Sequence, residues 1–291
     1  MKTPQQTYTP LNEALGCEVF LKREDLHKYK SQKGRSIPIM IKRYAKDGHT
    51  HFVISSSGNA AIAAALAAQN HNRNNPQLPI TLDIFIGQNI DPKKQQILER
   101  ECNGDGIIIK QVERPKQHAF QIDKSGEAKS LRQSTDDLAL EGYLSLAQDL
   151  SKIPNLQAVF VPTSSGTTAQ GLALGFKELG KEIQIHVVQT TSVHPISDEF
   201  DSVESSEDSD AGAIVDKIAH RKAALVDEIK TSGGHGWIVT NDQIKNARRL
   251  VRETTKIDIS ANSALAVAGL QKALTSDWKW DGVVACLITG V

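Results

Sequence analysis

The chain has 291 residues, a length that suits one large or two modest domains. Its 34 basic and 34 acidic residues balance, so it lacks the basic excess that is typical of nucleic-acid-binding proteins. Hydrophobic residues make up 39%, and no apolar run approaches the ~20 residues that a membrane span needs. The start of the chain does not have the pattern of a signal peptide, and the three cysteines suggest neither a disulfide framework nor a metal site. We therefore expect a cytoplasmic protein without a metal, a membrane partner or a nucleic-acid partner.

Apolar strands alternate with amphipathic helices along the chain, which predicts an α/β fold with largely parallel sheets. The predicted strands are 19–21, 51–54, 80–86, 106–112, 158–161, 183–189 and 283–288. The predicted helices are 31–46, 60–68, 91–101, 136–150, a helix that ends at 179, 213–229, 242–256 and 262–274. The Asn-rich stretch 69–79 is predicted as a loop, and the acidic, Ser-rich stretch 197–212 as a solvated loop.

Ligands of open α/β sheets bind beyond the carboxyl ends of the strands, and unusual residues follow several predicted strands here. Lys33 lies at a junction of loop and helix among other cations, a setting that suits Schiff-base chemistry; a solvated helix start explains the same residues. The run 55–59, SSSGN, offers hydroxyl and amide groups to a carboxylate at a helix start, although simple helix capping needs the same residues.

Two later segments have the same character. The run 163–168, TSSGTT, combines glycine and hydroxyl residues at a helix start and suits a phosphate, but it matches neither the P-loop nor the GxGxxG pattern. A capped turn is the alternative. Thr289 follows the last apolar strand, where its hydroxyl group could face a ligand or simply end a strand.

The order of these motifs resembles the fold type II pyridoxal-phosphate enzymes, which include threonine synthase, threonine dehydratase, cysteine synthase and the tryptophan synthase beta chain. The stretch TPLNEALGCEVFLKREDLHKYKSQKGR is similar to the N-terminal signature of that group, and its KRED is most like the dehydratases. The later stretches LALEGYLSLAQDL and LVDEIKTSGG…ALAVAGL look more like threonine synthase. The resemblance covers essentially the whole chain, although Gln32 stands where the family usually has Phe or Val.

The resemblance implies two three-layer α/β domains with mostly parallel sheets, as in the tryptophan synthase beta chain. The larger domain would comprise 1–35 and 151–291, and the smaller one 36–150. The cofactor would be pyridoxal 5'-phosphate. The resemblance implies that Lys33 is the catalytic residue and forms a Schiff base with the cofactor. Asn59 would contact the 3-hydroxyl oxygen of the cofactor, and Thr289 its pyridine nitrogen. The substrate carboxylate would be bound by Ser56, Ser57 and Gly58, and the cofactor phosphate by Ser164, Ser165, Gly166, Thr167 and Thr168.

The resemblance also implies a function. It predicts a lyase that eliminates or replaces a β or γ substituent of an amino acid, with a threonine synthase-like activity as the first expectation. A threonine or serine dehydratase is the alternative within the same class, and a non-catalytic protein that binds pyridoxal phosphate or an amino acid is the alternative outside it. An NAD-type binding domain is disfavoured because GxGxxG is missing. The expected partner is a small amino-acid substrate, and a homodimer remains open.

Overall fold

The computed structural model describes residues 2–206 and 208–290, which divide into two compact units. One unit comprises Met1–His27 and Tyr143–Val291, and the other comprises Lys28–Gly142. The prediction from sequence had placed the smaller domain at 36–150. Each unit is an α/β structure with a mostly parallel sheet, which confirms the predicted fold class.

Strands and helices are numbered separately in chain order. The strands β1 to β10 are Gln5–Thr7, Val19–Arg23, His51–Ser55, Thr81–Gly87, Ile107–Val112, Lys129–Ser130, Leu156–Pro162, Gln184–Thr190, His235–Val239 and Val283–Ile288. The helices α1 to α11 are Thr9–Leu15, Ile37–Lys46, Asn59–Asn74, Pro92–Glu101, Pro115–Ser125, Leu138–Glu141, Leu144–Leu150, Thr167–Glu178, Lys222–Thr231, Asn241–Thr255 and Ala261–Thr275.

The sheet of the larger unit has the strand order β1-β2-β10-β7-β8-β9, and only β1 runs antiparallel to its neighbour. All six residues of β10 are buried, as expected for a central parallel strand covered on both faces. One face packs against α1, α10 and α11, and the other against α7, α8 and α9. Thr240 and Gln243 form a reciprocal capping box that fixes the start of α10. The sheet is therefore the middle layer of three.

The sheet of the smaller unit has the order β5-β4-β3-β6 with all strands parallel. Helices α2, α3 and α4 cover one face, where the alanines of α3 allow close packing. Helix α5 covers the other face through Ala119, which packs with Val53 and Phe85. Asp91 caps α4 by accepting a hydrogen bond from the Lys94 amide at 3.0 Å, and Pro92 occupies the first helical position, as the sequence predicts.

Several segments differ from the sequence-based prediction. Strand β1 and helix α1 were not predicted, the predicted helix 31–46 begins with a 3-10 turn, and the predicted helix 136–150 is divided into α6 and α7. Helix α3 continues to Asn74 through half of the predicted loop, because Asn72 bonds both the amide and the carbonyl group of Ile80 and so ties the helix to the next strand. The sequence did not predict α5, which begins with Pro115. Residues 213–221 are not helical, although a helix was predicted from 213, and α9 begins only at Lys222.

The acidic stretch 197–212 is anchored at its start and exposed in its middle. Ser197 is buried in a short 3-10 turn. The Asp201 carboxylate accepts a hydrogen bond from the Ile238 amide at 2.8 Å and pairs with Lys272 at 2.5 Å. Most of the described residues from 202 to 210 are exposed. The solvated loop is therefore shorter than the predicted range 197–212.

Candidate active site

In the smaller unit, Lys33 lies on the 3-10 turn Gln32–Arg35, directly before α2. The Ser31 hydroxyl oxygen accepts a hydrogen bond from the Lys33 amide at 3.3 Å and so caps the turn. The lysine side chain is half-buried, and within the described part of this unit its ammonium group has neither a hydrogen bond nor an ion pair. The nitrogen is therefore available for a covalent partner.

Gly142 holds the Lys33 turn in place by close approach of two backbones. A Cβ atom at position 142 would lie 2.3 Å from the Arg35 carbonyl oxygen and 2.5 Å from the Ser36 Cα. The Ser36 hydroxyl group is also hydrogen-bonded to the Gln133 side chain. Sequence reasoning missed Gly142, because a glycine after a short helix gives no signal of what passes beside it.

The predicted carboxylate loop connects β3 with α3. Its Ser56 hydroxyl oxygen accepts a hydrogen bond from the Gly58 amide at 3.3 Å, and Asn59 is the first residue of α3. A Cβ atom at Gly58 would meet nothing within 4 Å, so open space adjoins the backbone here. Ser57 also lines an open cavity of about 410 Å³, together with residues 87–91, Lys94 and Glu113. The loop can thus admit a small anionic group next to the free amides of the α3 start.

Two buried side-chain oxygens of this unit lack a hydrogen-bond partner, namely Asn59 Oδ1 and Gln32 Oε1. The turn that carries Gln32 packs directly against α3. An unpaired buried acceptor costs about 1–3 kcal/mol, so such atoms mark positions where a ligand supplies the missing donor. The unpaired oxygen of Asn59 can accept a hydrogen bond from a donor group of a ligand.

In the larger unit, the predicted phosphate loop follows β7 and leads into α8. Gly166 caps the helix with φ +91°, a left-handed conformation that favours glycine. Within the described part of this unit, the amides of Ser165 and Gly166 donate no hydrogen bond. Free amides at the positive end of a helix dipole form a site that suits a phosphate group.

The hydroxyl groups of this loop are not equivalent. Ser165 and Thr167 share a hydrogen bond at 3.0 Å between their hydroxyl oxygens, and Thr167 and Thr168 are buried. The Ser164 hydroxyl group instead donates to the Asp216 carboxylate at 2.9 Å and accepts hydrogen bonds from the amides of Val215 and Asp216. Ser164 is therefore already occupied by protein partners.

Thr289 follows β10, beside the phosphate loop that follows the neighbouring parallel strand β7. It is buried, and its environment is neutral. The Ser263 hydroxyl oxygen accepts hydrogen bonds from the amides of Thr289 and Gly290 at 3.1 and 3.4 Å and lies 3.5 Å from Thr289 Oγ1. Sequence reasoning missed Ser263; the serines 260 and 263 at the start of α11 were the available signal.

The predicted site residues are thus divided between the units. Lys33, Ser56, Ser57, Gly58 and Asn59 belong to the smaller unit. Residues 164–168 and Thr289 belong to the larger one. Among residues 2–206 and 208–290 there is no group of three or more potential metal ligands. No helix in that part of the chain is long and apolar enough to cross a membrane.

Sequence comparison relates the chain to known enzymes. Residues 1–290 match the family described as pyridoxal-phosphate dependent enzyme. The mouse L-serine dehydratase/L-threonine deaminase is 29% identical over 67% of this chain and 58% of its own length. The biosynthetic L-threonine dehydratase of Haemophilus influenzae is 24% identical over 99% of this chain and 56% of its own. The chain therefore spans little more than half the length of these dehydratases.

Serine racemases are also similar. The racemase of Dictyostelium discoideum is 25% identical over 99% of this chain and 89% of its own length. Its crystal structure superimposes with a TM-score of 0.83 at 20% identity and covers 100% of this chain and 92% of that one. Maize serine racemase gives a TM-score of 0.82 at 18% identity, with 100% and 88% covered. Since the match of the family spans nearly every residue, the chain belongs to the family of pyridoxal-phosphate-dependent enzymes.

Proposed function

We propose that the chain is a pyridoxal-phosphate-dependent dehydratase that acts on a small hydroxyl amino acid such as serine or threonine. The resemblance of individual segments had put a threonine synthase-like activity first. The relatives named above are dehydratases and racemases, which favours the dehydratase alternative instead.

The neutral environment of Thr289 is the observation that carries this proposal. Its closest hydroxyl neighbour is Ser263, and no carboxylate is hydrogen-bonded to it in the described part of the larger unit. The neutral hydroxyl group of Thr289 would not hold a proton on the pyridine nitrogen, so the ring would withdraw electrons less strongly. Negative charge at Cα is then better relieved by expelling a β substituent than by transferring the amino group.

The remaining residues hold the reactants in this proposal. Pyridoxal phosphate, when bound, supplies the electron sink for the reaction. The unpaired Oδ1 of Asn59 would accept a hydrogen bond from its 3-hydroxyl group. The proposed phosphate ligands are the amides of residues 165–168 and the hydroxyl groups of Ser165, Thr167 and Thr168. The resemblance implies Ser164 as well, but its hydroxyl group is engaged by Asp216. The proposed carboxylate ligands are Ser56, Ser57 and Gly58.

Lys33 has two roles in the proposal. Its amino group would hold the cofactor covalently, and in its free form Nζ would take the Cα proton of the substrate as a general base. The same Nζ can return that proton to the departing β-hydroxyl group, which leaves as water. Hydrolysis of the resulting enamine then gives a 2-oxo acid and ammonia, so the overall reaction consumes no other reagent.

Racemisation is a second candidate, favoured by the length of the match. The chain covers 89% of the Dictyostelium serine racemase but only 56% of the bacterial dehydratase. Removal and return of the same Cα proton on opposite faces would give the D-amino acid. The two activities differ in product, because only dehydration forms a 2-oxo acid.

The test is to incubate the purified chain and pyridoxal phosphate with L-serine and L-threonine, and to measure 2-oxo acid and D-amino acid separately. We expect 2-oxo acid as the main product and its loss in Lys33→Ala. Borohydride reduction and peptide mapping should place the pyridoxyl label on Lys33 in the wild type. A D-amino acid as the main product would favour racemisation, whereas a label on Lys28 or Lys30 would refute the assignment of Lys33.

A further inference from the structure

Residues 211–221, here called the strap, cross the carboxyl edge of the larger unit's sheet. Ala211 and Ile214 are buried in the core on the face covered by α10 and α11. Ala219 is buried in the core on the opposite face, with α8 and α9. The strap must therefore pass over an edge of the sheet, and its contact with Ser164 identifies this as the edge of the phosphate loop.

Hydrogen bonds to one hydroxyl group hold the middle of the strap. Ser164 Oγ accepts from the Val215 and Asp216 amides at 3.1 and 3.2 Å and lies 2.9 Å from the Asp216 carboxylate. Apolar packing contributes little in this part, since Val215 and Ile218 are 55% and 76% exposed. Helix α9, which follows the strap, also lies close to the loop. A Cβ atom at Gly166 would lie 2.8 Å from Leu225 Cδ2.

These contacts use the full hydrogen-bonding capacity of Ser164. A hydroxyl group has one proton to donate and two lone pairs to accept with. The proton is donated to the Asp216 carboxylate, and the lone pairs accept the two amides. The Ser165 hydroxyl group differs, since its partner in the described residues is only the neighbouring Thr167 of the same loop.

We propose that Ser164 is a positioning residue that ties the strap to the phosphate loop through Asp216, and that it is not itself a phosphate ligand. The assignment of this loop to the cofactor's phosphate rests on the proposed function, but the tie between Ser164 and the strap does not. Loss of the tie would loosen the strap and weaken cofactor binding indirectly, whereas loss of a true phosphate ligand would weaken binding and leave the strap unchanged.

Hydrogen–deuterium exchange of the full chain, with and without pyridoxal phosphate, separates the two roles. Without the cofactor, Ser164→Ala should speed exchange of the amides of residues 215 and 216 about tenfold or more, because both lose their acceptor. Asp216→Ala should act in the same direction but more weakly, because the Ser164 hydroxyl oxygen stays in place to accept the two amides. Ser164→Thr, which keeps a hydroxyl group, should restore slow exchange.

Ser165→Ala is the matched control, one residue further along the same loop. It should weaken cofactor binding, measured by titration of the visible absorbance, and leave exchange in the strap unchanged. Unchanged exchange in Ser164→Ala, together with weaker cofactor binding, would overturn the proposal and make Ser164 a phosphate ligand. If the wild type itself failed to bind pyridoxal phosphate, the proposed function would fail, and the exchange data would still test the strap.

Discussion

Substituting Gly142 by alanine should displace the turn that carries Lys33. The added Cβ atom would lie 2.3 Å from the Arg35 carbonyl oxygen, whereas an ordinary contact is 3.4 Å or more. One backbone must therefore move by about 1 Å, and overpacking of this kind costs about 1–3 kcal/mol of stability. Gly142 has helical backbone angles, φ −61° and ψ −29°, so alanine brings no conformational strain of its own. The steric overlap is then the cause of any loss.

The displacement reaches the catalytic group because Arg35 lies two residues after Lys33 on the same short turn. A misplacement of about 1 Å can cost roughly a hundredfold in rate, and we expect a loss of that order in 2-oxo acid formation and in cofactor attachment. The assay follows visible absorbance during addition of pyridoxal phosphate and the initial rate with L-serine.

Gly104→Ala is the control for this experiment. A Cβ atom there would meet only the flexible Gln69 side chain, with Nε2 at 2.9 Å and Cγ at 3.2 Å, which can shift at the cost of its hydrogen bond to the Asn103 carbonyl group. This variant should keep the wild-type rate and unfolding midpoint. A Gly142→Ala protein that folds and attaches the cofactor at the wild-type rate would refute the argument that Gly142 positions Lys33.

Three further predictions concern the larger unit. Thr289→Val should lower the elimination rate about ten- to a hundredfold through loss of a hydrogen bond. Thr289→Ser keeps the hydroxyl group and should keep the wild-type rate. Full activity of the valine variant, measured as 2-oxo acid, would contradict the role of the hydroxyl group. Gly166→Ala should weaken cofactor retention on dialysis, because its Cβ atom would lie 2.8 Å from Leu225 Cδ2, whereas Gly180→Ala also has a positive φ but nothing within 4 Å and should retain the cofactor normally. Burial, with a smaller contribution from His235, lowers the pKa of His186 to about 3. Between about pH 6 and 3 the unfolded state therefore binds a proton that the folded state does not. The free energy of unfolding should fall by up to about 1.4 kcal/mol per pH unit as the pH drops through this range. His186→Gln should flatten that dependence in urea unfolding, and an unchanged slope would argue against it.

The local sequence was sufficient to predict those features whose conformation depends on residues close together in the chain. Alternating apolar strands and helices predicted the α/β class, because strand burial and helix capping are local properties. The run from Ser55 to Asn59 and the run from Thr163 to Thr168 were both correctly predicted at junctions of strand and helix. Glycine and hydroxyl residues between an apolar strand and an amphipathic helix leave few other conformations.

Only the tertiary structure decided which residues support those motifs from a distance. Gly142 lies against Arg35 more than a hundred residues away in sequence, and its lack of a side chain has meaning only where the two backbones meet. Ser164 looked like its neighbour Ser165 in the sequence, but its hydroxyl group bonds the distant Asp216. The strap from residue 213 onward was predicted as a helix, because the periodicity of its apolar residues cannot show that they are buried on opposite faces of a sheet. Local patterns specify backbone conformation, whereas the partner of a hydrogen bond or of a close contact depends on how distant segments pack.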